Sequence, residues 1–281
     1  MNILKNNLDN INTDINLWGE EIKKLKLADR IGFCPISIWI PDWNIVKKLK
    51  KIIGDKGETR KTLNSAYGYM PGTSIFNPHL AQMILSAYCP YNAKIFDPFG
   101  GGGTRGFIAV AMGHNYTGIE IREEEVDRII KQQKKLNVFF EIICCDCRIY
   151  PIKDNTYNFS YTCPPYYNLE IYSRLDGDMS NANSYHDFLE MIKDALIVNY
   201  RALQPGALAV WVVGNFRNNN HSLVHYNGDL IRLAQSIGFQ LWDELIFWRA
   251  SGNAVCRSSQ FSANRKSVRV HEYILILKKP A

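Results

Sequence analysis

The nine residues FDPFGGGGT at positions 96–104 decide the fold of this chain. They follow a short apolar run at 94–96 that predicts a strand, and they lead into a helical pattern at 104–112. Four consecutive glycines carry no Cβ atom, so a ligand can lie directly on the backbone and on the amino end of the helix. Open α/β sheets bind ligands at such a turn between strand and helix, which makes it the first candidate site.

Alternating strand and helix patterns extend from this turn to the end of the chain. The predicted strands span residues 94–96, 115–121, 139–145, 158–162, 208–213, 240–248 and 270–277. The predicted helices span residues 20–27, 44–53, 77–88, 104–112, 123–136, 185–203 and 228–237. The alternation predicts an α/β fold: a doubly wound, mainly parallel sheet with a C-terminal antiparallel hairpin. We expect a small N-terminal extension over residues 1–68 and a main domain over residues 69–281.

Carboxylates end or follow three successive strands of this sheet. Glu120 ends the second strand and follows Asp97 by 23 positions, close to the offset of about 20 residues at which a carboxylate binds a ribose diol. Asp146 follows the third strand, where an adenine amino group could be bound. Together, the three acids indicate an adenosine-type cofactor.

The glycines alone leave other interpretations open. A tight turn without a ligand also uses glycine, and Gly101, Gly103 and Gly106 satisfy the GxGxxG spacing of nicotinamide and flavin sites. Asp97 disfavours those cofactors because it would repel a pyrophosphate. No Gly-Lys-Ser or Gly-Lys-Thr follows the glycines, which excludes a Walker P-loop. An acid at this point suits a cationic ligand, such as the methionyl ammonium of S-adenosylmethionine.

A second turn, Cys163-Pro164-Pro165-Tyr166, follows the fourth predicted strand, which neighbours the first strand in a doubly wound sheet. Two prolines fix the backbone and leave carbonyl groups free to accept, while Tyr166 offers a flat face for stacking. Rigid acceptors beside an aromatic ring suit a flipped-out base that carries an exocyclic amine. A proline-stiffened loop with core tyrosines is the alternative that needs no ligand.

These two turns resemble the signature motifs of the amino-methylating DNA methyltransferases, which make N6-methyladenine or N4-methylcytosine. Residues 97–104 resemble the cofactor motif Asp-Pro-Phe-x-Gly-x-Gly-Thr, and residues 163–166 resemble the catalytic motif [Asp/Asn/Ser]-Pro-Pro-[Tyr/Phe/Trp]. The segment GTSIFNP at 72–78 is similar to the motif that precedes the cofactor motif. The resemblance covers about residues 70–278 and extends to the methylases carried by phages and other mobile elements. Cys163 departs from the catalytic motif, and a thiol is a weak hydrogen-bond acceptor.

The resemblance implies a Rossmann-like methyltransferase fold that depends on S-adenosylmethionine, and it assigns roles to residues. It places Asp97 near the methionyl amine, Glu120 on the ribose hydroxyls and Asp146 on the adenine. The cofactor-binding residues that it implies are Ser74, Phe76, Asp97, Phe99, Gly101, Gly103, Thr104, Glu120, Ile121, Asp146 and Cys147. The implied catalytic residues are Cys163, Pro164, Pro165 and Tyr166. Pro164 and Cys163 would hold the target amine, and Tyr166 would stack on the base.

The net charge is compatible with a nucleic-acid partner but does not identify one. Lysine and arginine number 33 against 27 acidic residues, a net charge of +6. The expected partner is DNA, double-stranded and with the target base flipped out. The residues expected to contact DNA are Arg174, Arg257, Arg265, Lys266 and Arg269, although a hairpin connection with solvated arginines is an alternative. Lysines at 23, 24, 26, 47, 48, 50 and 51 are further candidates.

Composition excludes several other classes of protein. With 46% hydrophobic and 21% charged residues, the chain is too apolar for general disorder. Its longest apolar stretches fall short of the ~20 residues that a membrane span needs. Seven irregularly spaced cysteines and no secretory pattern predict the reduced cytoplasm, of a bacterial or phage-infected cell if the resemblance holds. Cys144, Cys145 and Cys147 lack a second pair at zinc-site spacing, so we expect buried strand cysteines and no structural metal.

Three other functions stay open. A 5-methylcytosine enzyme would use Cys163 as a nucleophile, although its usual Pro-Cys order is reversed here. A nucleic-acid-binding module of the same fold could have lost the transfer chemistry. Methyltransferases that act on RNA bases or on glutamine amides carry similar turns.

Overall fold

A central sheet organises the residues that the computed structural model describes, which are 36–53, 76–167, 172–218, 220–249, 261–262 and 265–281. The strands are β1 (Ile38–Trp39), β2 (Lys94–Asp97), β3 (Asn115–Glu120), β4 (Glu141–Cys144), β5 (Tyr157–Thr162), β6 (Leu203–Val213), β7 (Phe216–Arg217), β8 (Leu223–Val224), β9 (Gln240–Trp248) and β10 (His271–Lys278). The helices are α1 (Trp43–Ile53), α2 (Pro78–Tyr88), α3 (Thr104–Ala111), α4 (Glu123–Leu136), α5 (Tyr185–Ala202) and α6 (Tyr226–Ile237), with one 3₁₀ turn at Met179–Asn181.

The order of the eight strands in the sheet is β1-β9-β10-β6-β5-β2-β3-β4, while β7 and β8 form a separate ribbon. The run from β6 to β4 is parallel, and β10 lies antiparallel between β6 and β9. The predicted fold class, a doubly wound and mainly parallel sheet with a C-terminal antiparallel hairpin, is therefore confirmed. Because β2 lies between β5 and β3, the winding reverses there, and the loops after β2 and β5 meet at one point.

Apolar layers cover both faces of the sheet. Successive residues of β6 alternate between them: Val210 and Val212 join the layer under α1 to α4, and Trp211 and Val213 join the layer under α5 and α6. All four of these side chains are fully buried. Parallel strands covered by helices on both faces read as continuous apolar runs, which is why 207–213 contains no charged residue.

Local signals set the helix ends close to their predicted positions. The Asn77 side chain caps α2 by accepting from the backbone N–H groups of His79 and Leu80, and α4 has its predicted bounds. The strands differ more. β6 begins at Leu203, ahead of the predicted 208, because Tyr157 pairs with Leu203 before a register shift that spans the turn-like Pro-Gly pair. Nothing in the sequence predicted the short β7–β8 ribbon.

The described part of the segment before residue 68 is built into the sheet. β1 pairs in parallel with β9, and α1 packs against α2, with Leu49 and Ile53 of α1 in the same apolar layer as α2. The Asp42 backbone N–H donates to Nδ1 of His79 at 3.0 Å. His79 is 3% exposed, and burial lowers its pKa to about 4, so the neutral ring serves as the acceptor. The predicted helix at 20–27 lies outside the described residues.

The cysteines after β3 are less buried than expected. Cys147 is buried and Cys145 half-buried, but Cys144 is exposed. β4 is the last strand of the sheet, so one side of it has no neighbouring strand in the described chain. The expectation of three buried strand cysteines was therefore wrong for Cys144.

No helix among the described residues is both long enough and apolar enough to cross a membrane.

Candidate active site

A cleft of about 290 Å³ opens where the loops after β2, β3 and β5 meet. The predicted residues that line it are Phe76, Phe99, Gly101, Glu120, Ile121, Asp146, Cys147, Cys163, Pro164, Pro165 and Tyr166. The topology therefore brings the glycine turn, two of the strand-end acids and the proline turn to one site. Ligands of doubly wound sheets bind at this position of the fold.

Glycine is required at specific points of the turn after β2. Gly101 and Gly103 have φ angles of +53° and +74°, a left-handed conformation that favours glycine. A Cβ on Gly100 would lie 2.9 Å from Cδ1 of Ile142 and 3.1 Å from the carbonyl oxygen of Ile119. The turn thus crosses directly over β3 and presents bare backbone to the cleft.

Asp97 is the centre of a buried hydrogen-bond network. Its Oδ1 accepts from the Phe99 backbone N–H at 3.0 Å and from Oγ1 of Thr162 at 2.6 Å. Its Oδ2 accepts from Nε of Arg105 at 2.6 Å and from the Tyr116 hydroxyl at 2.5 Å. Asp97 is 0% exposed and does not line the cleft.

This network corrects the role that the sequence suggested for Asp97. A carboxylate offers about four acceptor positions, and four donors of the chain occupy them. The expected contact of Asp97 with the cofactor's amino group does not fit this arrangement. Instead, Asp97 ties the start of the glycine turn to Thr162, the residue before the proline turn.

The other two acids do face the cleft, and each is paired with an arginine. Oε1 of Glu120 accepts from the backbone N–H and the Nε of Arg122, at 3.0 and 3.1 Å. Burial raises the pKa of Glu120, and Arg122 opposes that shift. Asp146 accepts from Nε and Nη2 of Arg148, with a shortest distance of 2.6 Å to Oδ2.

The proline turn places an aromatic ring and backbone acceptors against the cleft. Pro164 and Pro165 have no N–H, so this part of the backbone can only accept. The Tyr166 hydroxyl is enclosed without a partner among the described residues, 3.4 Å from the position of a Cβ built on Gly214. Burial raises the pKa of Tyr166 well above its usual value, so the phenol stays neutral.

A segment at 172–182 lies across one end of the cleft. A Cβ on Gly177 would lie 2.7 Å from Cδ1 of Ile121 and 2.8 Å from Oδ2 of Asp146, so a larger residue would displace these two side-chain ends. Asp178 holds the segment by accepting from the Ser173 hydroxyl at 2.7 Å and from Ser180. The described part of the polar run 168–183 therefore forms part of the cleft wall, next to Ile121 and Asp146.

The remaining predicted residues lie elsewhere. Gly103 and Thr104 are packed at the start of α3 and do not line the cleft. Arg174 and Arg265 are exposed, Lys266 and Arg269 are partly buried, and none of these four lines the cleft. Ser74 and Arg257 lie outside the described residues.

Sequence reasoning missed several residues that line the cleft: Trp43, Val46, Arg105, Arg122, Tyr172, Phe247, Arg249 and Glu272. Trp43, Val46 and Lys50 lie on α1, which was assigned to a separate extension. The sequence analysis names Lys50 as a candidate for contact with DNA, and the structure places it in the cleft wall. Arg105 directly follows Thr104 of the cofactor motif, but no pattern indicated that it faces the cleft.

Comparison with known proteins identifies one family. The model of the N6/N4 methyltransferases, described as DNA methylase, matches residues 18–132 and 157–281. No curated protein sequence matches the chain.

Solved structures share the fold at low sequence identity. TrmN from Thermus thermophilus has a TM-score of 0.51 and 15% identity over 73% of this chain and 49% of its own, so the chain spans about half of that protein's length. The [4+2]-cyclase SpnF has a TM-score of 0.54 and 14% identity over 88% of this chain and 100% of its own. An S-adenosylmethionine-dependent methyltransferase from Methanosarcina mazei has a TM-score of 0.50 and 14% identity over 70% and 97%. At such identities, these structures support the fold alone.

Proposed function

This chain belongs to the N6/N4 DNA methylase family and is a methyltransferase that depends on S-adenosylmethionine; from that premise we propose that it methylates DNA, at N6 of adenine or N4 of cytosine. The proposed acceptor is the exocyclic amine of a base flipped out of the duplex. The rest of the cleft has to bind the cofactor, hold the amine and accommodate the base.

One observation carries the proposal: a buried side-chain hydrogen bond holds the start of the proline turn next to the start of the glycine turn. Oγ1 of Thr162 donates to Oδ1 of Asp97 at 2.6 Å, so the residue before the proline turn is fixed to the residue that begins the glycine turn. β5 and β2 are also adjacent, with Ser160 paired to Phe96. The two turns therefore face one cleft at a fixed separation, as a transfer between two bound molecules requires.

The residues of the cleft fit an adenosine-containing cofactor. The glycine turn offers backbone without side chains, and Ile121 and Phe99 offer apolar contact surface. We assign Glu120 to the ribose hydroxyls and Asp146 to the adenine amino group. When bound, S-adenosylmethionine supplies an electrophilic methyl group on its sulfonium.

The proline turn supplies what the amine needs. The Pro164 carbonyl, with Cys163 beside it, accepts hydrogen bonds from the target amine and aims its lone pair into the cleft, while the Tyr166 ring stacks on the base. The methylated amine is acidic enough to release its proton to water, so no strong base is needed. In keeping with this, no histidine is found among the described residues that line the cleft.

Basic residues flank the mouth of the cleft and suit a DNA backbone. α1 carries Lys47, Lys48, Lys50 and Lys51 with no acid in its first turn, and Lys50 reaches the cleft wall. On the other side, Arg265, Lys266 and Arg269 precede β10, which begins at the same edge of the sheet where Glu272 lines the cleft. Arginine and lysine at the rim position a duplex through its phosphates.

Long-read sequencing of DNA from cells that express the protein tests the proposal. We expect N6-methyladenine or N4-methylcytosine within one sequence context, and no modification with the matched variant Tyr166→Ala, which removes the stacking ring. DNA that stays unmodified, while the purified protein binds the cofactor and transfers radiolabelled methyl to RNA, would assign the acceptor to RNA instead. If the protein binds the cofactor but transfers methyl to neither DNA nor RNA, the proposed activity on nucleic acids is contradicted.

A further inference from the structure

Arg105 is a cation held rigidly in the wall of the cleft. It lies in the first turn of α3, its Nε donates to Asp97 at 2.6 Å, and its Nη2 donates to the carbonyl of Phe99. Its guanidinium carbon lies 4.9 Å from the centre of the Phe76 ring. With 5% of the side chain exposed, the guanidinium has one well-defined position.

Part of the guanidinium remains available to a ligand. Nε and Nη2 have the partners named above, whereas Nη1 donates to no described residue. Nη1 is also not one of the enclosed polar atoms that lack a partner, and Arg105 lines the cleft. We take its N–H groups to be accessible from the cleft.

The chemistry of this position calls for an anion. Burial lowers the pKa of Arg105, but Asp97 raises it further, and the net shift is upward. Each arginine of the cleft wall pairs with one carboxylate, Arg122 with Glu120 at 3.1 Å and Arg249 with Glu272 at 2.9 Å, and only in Arg105 do we infer a further N–H that faces the cleft. An open guanidinium N–H beside bare glycine backbone is suited to a small carboxylate.

We propose that Arg105 binds the α-carboxylate of the cofactor's methionine moiety through Nη1, with Asp97 as the residue that positions the guanidinium. The carboxylate is the single anionic group of S-adenosylmethionine, whose ammonium and sulfonium are cationic. With the adenosine assigned to Glu120 and Asp146, the methionine chain extends towards the proline turn. Arg105 lies on that path, with Nη2 4.0 Å from a Cβ built on Gly101. This inference rests on the proposed function for the location of the adenosine.

Two ligands that differ only in the carboxylate test this contact. Calorimetry would compare S-adenosylmethionine with decarboxylated S-adenosylmethionine, which keeps the sulfonium, the ammonium and the adenosine. A charge-assisted hydrogen bond predicts that the wild-type protein binds the complete cofactor roughly tenfold to a hundredfold more tightly. Equal affinities for the two ligands would overturn the proposal. This comparison needs no variant.

A double variant then shows whether Arg105 contacts the carboxylate or only stabilises the cleft. Arg105→Gln alone would leave Asp97 buried and unpaired, so the test uses Asp97→Asn together with Arg105→Gln, which keeps a neutral hydrogen-bonded pair. We expect the ratio of the two affinities to fall to about one. A double variant that weakens both ligands equally, with the ratio unchanged, would show a structural role and contradict the proposal. Because the readout is cofactor affinity, a protein that methylates RNA instead of DNA would give the same result.

Discussion

Cys163 is the residue at which the catalytic turn departs from its family. The motif normally begins with Asp, Asn or Ser, each of which accepts hydrogen bonds better than a thiol. The proposed mechanism uses Cys163 only as an acceptor beside the Pro164 carbonyl. A mechanism that methylates carbon 5 of cytosine would need the same sulfur as a nucleophile.

Replacing Cys163→Ser distinguishes these roles. We expect methyl transfer to DNA to be retained or to rise severalfold, because a hydroxyl is a stronger acceptor of nearly the same size. Incorporation of radiolabelled methyl into unmethylated DNA would measure the effect, with Cys144→Ser as the matched control on an exposed cysteine. Near-complete loss of transfer in the Cys163 variant alone would favour the nucleophile.

Asp97 illustrates how far single residues could be predicted. The sequence suggested that the acid ahead of the glycines faces a cationic ligand, the ammonium of the cofactor. The cation found there is Arg105 of the same chain, eight positions along. Which donor reaches a buried carboxylate depends on how the turn bends, and the spacing of residues does not encode this.

At the scale of elements, strands and helices with a strong period were predicted nearly to the residue. α4 and β9 have their predicted bounds, because caps, charges and alternation all act locally. The placement of β1 and α1 was not predictable in this way. Pairing of Ile38 with Ile246 joins segments about two hundred residues apart, and no local signal of β1 specifies its partner.

The contact of α2 with the segment before α1 should make stability depend on pH. His79 accepts from Asp42 as a neutral ring, and its pKa is about 4 in the folded protein against 6.5 for an ordinary histidine. Between these values the unfolded chain binds the proton more readily. The contribution of neutral His79 to the free energy of unfolding is therefore fully present above about pH 6.5. It is lost as the pH drops to about 4, which lowers the free energy of unfolding by up to roughly 3 kcal/mol.

Denaturant unfolding at a series of pH values measures this dependence. His79→Gln can still accept from Asp42 but cannot titrate, so its stability should fall less steeply than that of the wild type between pH 6.5 and 4. His186→Gln, at an exposed position of α5, is the control and should follow the wild-type curve. A His79 variant that also follows that curve would argue against the contact as the cause.

At the scale of the whole molecule, the net charge of +6 conceals an uneven distribution. The cleft wall carries four acids and four basic residues: Glu120, Asp146, Asp178 and Glu272 with Lys50, Arg105, Arg122 and Arg249. Lys47, Lys48 and Lys51 of α1 and Arg265 before β10 are exposed and do not line this wall. The formal charges of the cleft wall therefore balance, and the surplus of positive charge lies outside it, where it suits a polyanion.

The lysines of α1 should account for part of the salt dependence of DNA binding. Lys47 and Lys51 lie one helical turn apart and are exposed. Removing two phosphate contacts with Lys47→Gln and Lys51→Gln should weaken binding and reduce the slope of log K against log salt by roughly 2. Fluorescence anisotropy at several salt concentrations would measure the slope.

The matched control for this experiment is the pair Lys94→Gln and Lys153→Gln. Both residues are exposed: Lys94 begins β2 and Lys153 lies before β5, at the ends of these strands opposite to the cleft. This pair has the same loss of charge and should leave the slope nearly unchanged. If the two pairs reduced the slope equally, the total charge of the protein would govern DNA binding, and the surface around α1 would have no special part in it.

The buried carboxylate of Asp97 also constrains how this sequence can diverge. Thr162, Arg105 and Tyr116 come from three different elements, yet all three donate to the same two oxygen atoms. A lineage that replaces Asp97 with an apolar residue leaves these three side chains and the Phe99 N–H without an acceptor, and a lineage that replaces one donor unbalances the others. Natural relatives should therefore keep these four positions together or exchange them as a set.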